Sequence, residues 1–337
     1  MRSNRHSRNR ERWISHRLVR TALAVALGTL PLCALAADRS TDAMALQVAL
    51  DRAGFSPGVI DGTMGMLTRQ AVRGFQEANG IKVTGRSNAE TQAALGEQVR
   101  STETVQVTDA DAAGPFLAHM PDSMADKAKL DGLHYTSIEE ALAEKYHTTP
   151  AKLRALNRAA DFEPGSEITV PAVRSEAMTN EGASGWDAML GRLSVAKVQP
   201  RAAKVVVDKS DRQVRVFDAG GKLLAQFPAT LGSEHDPLPL GQWQIGSVAR
   251  LPTFNYNPEL FWDADESDAK AKLPPGPNGP VGVVWIDLSK EHYGIHGTPE
   301  PQTVGRTASH GCIRLTNWDA AKLAQMVRAG TPAILQE

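Results

Sequence analysis

The sequence predicts a multidomain protein: a small all-α three-helix module, a small α+β module and a mostly-β carboxyl-terminal domain. Three observations carry this prediction. The 337 residues exceed the ~100–200 residues of one ordinary domain. Apolar residues recur at helical spacing in the first half but fall into short β-rich runs after Ala203. Polar stretches at 97–108 and 174–201 separate these textures and read as linkers. At 42% apolar and 22% charged residues the chain sits near the globular average. That excludes a wholly disordered chain, a collagen-like fibre and a disulfide-stapled miniprotein. The first apolar run has no long successor, which excludes a multi-span membrane protein.

Residues 1–36 read as a secretory signal peptide. Seven arginines (Arg2, Arg5, Arg8, Arg10, Arg12, Arg17 and Arg20) face one acid, Glu11, and the apolar run 21–37 ends in the small-x-small site Ala34-Leu35-Ala36. An uncleaved anchor helix is the alternative, but the run is short for a span and Pro31 interrupts it. Leu32 before Cys33 argues against a lipoprotein site. Seven bases and one acid leave with the segment, so cleavage takes the formal net charge from −1 to −7. An acidic mature chain is a poor electrostatic partner for nucleic acid. It retains one cysteine, Cys312. A single thiol in an exported protein is either an accident or a working nucleophile.

The three-helix module spans 42–96. Leu46, Ala49, Leu50 and Ala53 recur at helical spacing before Gly54 stops the helix. Ser56-Pro57-Gly58 and Asp61-Gly62 are turn chemistry. Leu67, Ala71, Val72 and Phe75 mark a second helix, and a capping box from Ser87 to Glu90 opens a third that closes at Gly96. The run from Gly54-Phe55-Ser56-Pro57-Gly58 through Asp61-Gly62, with Thr68-Arg69, Ala71-Val72 and Phe75-Gln76, resembles the bacterial peptidoglycan-binding module. The resemblance covers nearly the whole unit and implies wall attachment.

The α+β module spans 113–173. Ser137 with Glu140 forms another capping box, and Ile138, Ala141, Leu142 and Tyr146 make an apolar stripe. Thr149-Pro150 starts a further helix, with Leu153 and Leu156 inward. Pro164-Gly165 turns into a short strand, Ile168-Thr169-Val170-Pro171. Leu153, Leu156-Asn157, Pro164-Gly165, Ile168 and Val170-Pro171 resemble the second half of a LysM module. That family's opening Gly-Asp-Thr is absent and its first strand does not stand out. A glycan-binding LysM-like module and a degenerate spacer both stay open.

From 203 to 335 the runs 205–207, 213–217, 223–229 and 243–248 are β-rich. Residues 251–280 form a long irregular segment dense in Pro, Gly, Asn and Asp. A loop of that length inside a domain is usually functional, as a lid or binding wall.

The chemistry lies in Ile295-His296-Gly297-Thr298 and Ser309-His310-Gly311-Cys312-Ile313-Arg314-Leu315. A thiol attacks as thiolate and needs an imidazole to take its proton. A leaving amine needs that proton back, which the same imidazole can supply. Glycines beside the thiol let backbone N–H groups approach a developing oxyanion. The duller alternatives are a buried core cysteine with satisfied histidines, or a zinc site made by His296, His310 and Cys312. The zinc reading lacks a general-base carboxylate within the motif.

This cluster resembles the L,D-transpeptidase catalytic domain, as do Pro239-Leu240-Gly241-Gln242-Trp243, Pro274-Pro275-Gly276-Pro277 and Gly305. The resemblance covers 203–335. It implies that Cys312 is the nucleophile and His296 the general base and acid, its ring oriented by the carbonyl of Gly297. It implies an oxyanion hole from backbone N–H groups around His310, Gly311 and Cys312, with Ser309 positioning the loop. Arg314 would anchor a carboxylate of the peptide. Position 310 varies more than 296 in the family, so His310 supports and His296 is the base. The implied reaction, without cofactor or metal, cleaves the diaminopimelate–D-alanine bond of peptidoglycan tetrapeptide stems through a thioester. The acceptor stays open between another stem, a lysine of an outer-membrane lipoprotein, a free D-amino acid and water. The implied setting is the periplasm and cell wall remodelling. A non-catalytic wall-binding protein is the alternative from another class.

Overall fold

The computed structural model describes residues 43–96, 100–173, 183–265 and 269–337. The expected leader, 1–36, and the first residue of the expected module, position 42, lie outside them.

The amino-terminal unit holds α1 (43–52), α2 (Met66–Ala78) and α3 (Ala89–Leu95). Leu67, Ala71, Val72 and Phe75 form the buried face of α2, at the spacing read from sequence. The cap of α3 differs from the expected one. Asn88, rather than Ser87, accepts from the Thr91 amide at 2.9 Å. Asparagine is as strong an N-cap as serine, and the helix begins one residue later.

The second unit begins earlier than 113. Strand β1 (Thr102–Gln106) pairs antiparallel with β2 (Glu167–Pro171), Thr102 opposite Pro171 and Gln106 opposite Glu167. The expected linker 97–108 therefore contains a strand. Its sequence hides it because no residue of β1 is fully buried, and of its five residues only Val105 packs against the unit's core. Between the strands lie α4 (Asp109–Ala112), α5 (Met124–Lys127), α6 (Ile138–Lys145) and α7 (Pro150–Leu156). Ser137 and Thr149 cap α6 and α7 through the Glu140 and Lys152 amides. The core of Leu142, Tyr146, Leu153, Phe162 and Ile168 is continuous with Met44, Val48 and Ile60, so the two units share apolar contacts.

The second expected linker, 174–201, is also corrected for its described part. Helix α8 (Gly185–Arg192) buries Met189 and Leu190, and with Leu193 and Val195 they join the core of the carboxyl-terminal domain. The strands that follow are β3 (Lys204–Asp208), β4 (Gln213–Phe217), β5 (Leu223–Pro228), β6 (Leu231–Gly232), β7 (Gly241–Arg250), β8 (Phe254–Tyr256), β9 (Ala271–Leu273), β10 (Val284–Leu288), β11 (Gly294–His296), β12 (Ala308–Ser309), β13 (Ile313–Arg314) and β14 (Pro332–Gln336). Eight of them form one sheet in the order β13-β11-β10-β7-β14-β3-β4-β5. The irregular 251–280 segment contains a hairpin, with β8 pairing β9 from Phe254–Leu273 to Tyr256–Ala271.

Helix α9 (Asn317–Met326) is buried at nine of its ten residues, so it needs partners on every side. It finds them in all three units. Lys322 Nζ reaches Asp51 Oδ1 at 2.7 Å, and Asp51 Oδ2 lies 3.0 Å from His147 Nδ1. Ser56 Oγ donates to Asp319 Oδ2 at 2.7 Å, and the His147 ring stacks on Trp318. Asp51 is fully buried, which by itself raises a carboxylate pKa, but Lys322 and His147 outweigh burial and hold it well below the usual range. The edge strand β5 is covered by the first module: Ser56 N–H donates to Gln226 O at 2.9 Å and Gln226 N–H to Gly54 O at 3.0 Å.

Candidate active site

Strands β11 and β13 run parallel, with Ile295 opposite Ile313 and His296 opposite Arg314. Residues in register share a sheet face. His296 and Arg314 therefore project together, and Cys312 enters that strand pair two residues before Arg314.

His296 is buried, and its Nδ1 lies 2.7 Å from Gly297 O. A carbonyl only accepts, so Nδ1 carries the proton and Nε2 keeps its lone pair. Trp285, opposite His296 across β10 and β11, stacks on the ring at 5.5 Å and 18°. Burial, with the Arg314 charge adding to it, lowers the imidazole pKa to about 4, although the Gly297 hydrogen bond pulls the other way.

Cys312 is a free, half-buried cysteine. Its thiol approaches His292 O at 3.8 Å, and no hydrogen bond joins it to His296. Burial pushes the thiol pKa up, and nearby Asp236 adds to this. The Gly294 amide and the Arg314 charge oppose the rise. Burial thus favours the neutral form of both the thiol and the imidazole.

The turn before Cys312 is tightly specified. Ser309 Oγ donates to Cys312 O at 2.6 Å. Gly311 sits at φ 93°, and a β-carbon there would meet the Tyr293 ring at 2.8 Å. The amide N–H groups of His310, Gly311 and Cys312 lie in the turn between β12 and β13. His310 faces outward from this turn. Its Nε2 lies 2.8 Å from Asp263 Oδ1, its ring meets Phe261 edge-on, and its Nδ1 faces Arg314 at 3.5 Å. Arg314 is largely withdrawn from solvent with its Nε unpartnered, and burial lowers its pKa. Its backbone is fixed by two 2.9 Å hydrogen bonds with Thr230. Among the described residues no group of three or more His, Cys, Asp or Glu could hold a metal ion, so His296, His310 and Cys312 do not form a ligand set.

Several neighbours were not legible as site residues in the sequence. Tyr293, Trp285, Asp236 and Asp263 carry no motif of their own. The length of the irregular segment 251–280 was the sequence signal for the wall that carries Phe261 and Asp263. A cavity of about 240 Å³ lined by His134, Tyr135, Arg192 and Pro275 contains neither Cys312 nor His296.

Residues 202–335 match the YkuD family, described as the L,D-transpeptidase catalytic domain. The chain carries an L,D-transpeptidase catalytic domain. Residues 39–95 match the family described as "Putative peptidoglycan binding domain". Over 128 residues the chain is 53% identical to "Putative L,D-transpeptidase YkuD" of Bacillus licheniformis, covering 38% of this chain and 62% of that one. A protein of the same name from Bacillus subtilis is 53% identical over 55 residues, 16% of this chain and 34% of that one. The chain thus spans less than two thirds of the length of these relatives. A solved L,D-transpeptidase from Mycobacterium smegmatis aligns at 23% identity and TM-score 0.32, covering 40% of this chain and 58% of that one.

Proposed function

We propose that this protein is an exported cysteine transpeptidase acting on peptidoglycan stems, carried to the periplasm by residues 1–36. The observation that carries the reading is the His296 ring, whose Nδ1 is engaged by Gly297 O while Nε2 stays free on the strand beside Cys312. Because the thiol is bonded toward His292 O, it turns to the imidazole as substrate arrives. Its proton passes to Nε2 while sulfur attacks the carbonyl of the stem's diaminopimelate L-centre. The backbone amides around His310, Gly311 and Cys312 receive the oxyanion. The imidazolium then protonates the departing nitrogen of D-alanine as the C–N bond breaks, leaving a thioester. Arg314, whose Nε is unpartnered, holds a stem carboxylate with its forked donors.

An amine resolves the thioester. Another stem gives a 3–3 cross-link, a lipoprotein lysine gives a protein anchor, a D-amino acid gives exchange, and water gives carboxypeptidase activity. The amino-terminal module, residues 42–96, attaches the enzyme to the wall through a face other than 54–56, which lies on β5.

The test incubates the mature protein with disaccharide-tetrapeptide and reads products by mass. Loss of D-alanine, with dimer, tripeptide or exchanged tetrapeptide appearing, supports the reading. Turnover by a folded Cys312→Ala variant refutes it.

A further inference from the structure

The segment between β9 and β10 is gripped by the second unit. Leu133 N–H donates to Pro275 O at 3.0 Å, and Asn278 N–H donates back to Leu133 O at 3.0 Å. The Asn278 side-chain amide donates to His134 O at 3.0 Å and to Glu140 Oε1 at 2.9 Å. Gly276 lies so close to this turn that a β-carbon would fall 2.2 Å from Leu133 O. Leu133 also packs with Tyr256 and Leu273, one from each strand of the β8–β9 hairpin. The loop of that hairpin carries Phe261 and Asp263, the residues that meet His310.

A second contact leads to the imidazole. Glu144 Oε1, on α6, accepts from Asn317 Nδ2 at 2.9 Å, and Asn317 Nδ2 also donates to Pro277 O at 3.1 Å. Asn317 Oδ1 accepts from Val283 N–H at 3.1 Å. The same oxygen presses on Gly297, where a β-carbon would lie 2.1 Å from it. Gly297 O is the acceptor for His296 Nδ1. The far side of Glu144 is engaged too, by Tyr135 Oη at 2.5 Å.

We infer that the second unit is a positioning element of the active site: Asn278 fastens the wall over His310 to it, and Glu144, acting through Asn317, holds the Gly297 carbonyl that orients His296. This rests on the proposed roles of Cys312 and His296, and it gives the unit a task that needs no glycan contact. The Asn278 path is hydrogen-bonded and half-buried, and the Glu144 path runs through buried hydrogen bonds to Asn317 and then a close packing contact on Gly297, the kind of support that keeps reacting groups in place.

Three variants of the mature chain test it: Asn278→Ala, Glu144→Ala and Glu144→Gln. Asn278→Ala is expected to speed amide exchange across 257–263 about tenfold and to raise KM for the tetrapeptide about tenfold, with kcat within about threefold of wild type. Glu144→Ala is expected to lower kcat about tenfold at similar KM. Glu144→Gln restores it to within about threefold, because the glutamine oxygen still accepts from Asn317. Unchanged exchange across 257–263 in Asn278→Ala overturns the inference, as does a folded Glu144→Ala with wild-type kcat. If Glu144→Ala fails to fold, the exchange result decides alone. Exchange needs no turnover, so it separates failure of this inference from failure of the site assignment, which Cys312→Ala reports.

Discussion

His296 stands opposite Arg314 across two parallel strands, so a fixed guanidinium sits beside the candidate base and disfavours its protonation. Burial does more in the same direction. The imidazole is thereby kept unprotonated over the whole neutral range.

The pH profile should show this. The base works only unprotonated, and its pKa lies at about 4. The acid limb of kcat/KM for tetrapeptide cleavage is expected near pH 4, well below the ordinary histidine value of about 6.5. Arg314→Gln removes the repelling cation and should move that limb upward, while raising KM through loss of the proposed carboxylate anchor. A limb that stays in place in Arg314→Gln contradicts the assignment.

Asp236 should act on the sulfur. Its carboxylate is among the influences that raise the Cys312 pKa, after burial. Asp236→Asn is expected to shift the pH dependence of Cys312 alkylation by iodoacetamide to lower pH, with a faster rate at pH 7. Tyr293, whose phenol is raised first by burial and then by Asp236, should titrate lower in the same variant. Ultraviolet titration of the phenolate checks the second effect.

Gly311 faces two obstacles to substitution. A side chain there must adopt φ 93° and must also displace the Tyr293 ring. Gly311→Ala is expected to cost about 1–3 kcal/mol of local strain and at least about tenfold in turnover. Adding Tyr293→Ala clears the space but leaves the backbone strained, so the double variant should recover little. Full recovery in kinetic assays would show that crowding alone was at work.

Glu144 should make stability pH-dependent. Burial raises its pKa to about 7 from an unfolded value near 4.5, against the opposing hydrogen bonds from Tyr135 and Asn317. The folded state therefore holds the proton more tightly. Its contribution is complete below pH 4.5 and is lost as the pH rises through 7. Relative to Glu144→Gln, wild type should lose on the order of 1–3 kcal/mol between pH 5 and pH 8, read as a falling difference in melting temperature.

The cluster around Cys312 was legible because its parts sit on two short, adjacent strands within one stretch of chain. The face of α2 was legible because its apolar period is regular. Strand β1 was not, since an open strand of Thr, Glu, Val and Gln carries little apolar alternation. Helix α8 was hidden by its glycines and by a polar approach, and only packing shows Leu190 and Leu193 inside the catalytic core. Glu144 and Asn317 are 173 positions apart. Nothing in either neighbourhood announces the other, and their meaning appears only when α6 and α9 meet.

The covering of β5 by residues 54–56 reaches beyond packing. A polypeptide begun at residue 202 would keep Cys312, His296 and Arg314, yet it would bare the backbone N–H and C=O of Gln226 on its edge strand. It would also lose the α8 leucines from its interior. Such a fragment should self-associate through that open rim. In the full chain residues 54–56 act as an end-stop on that rim, bonded to both backbone groups of Gln226.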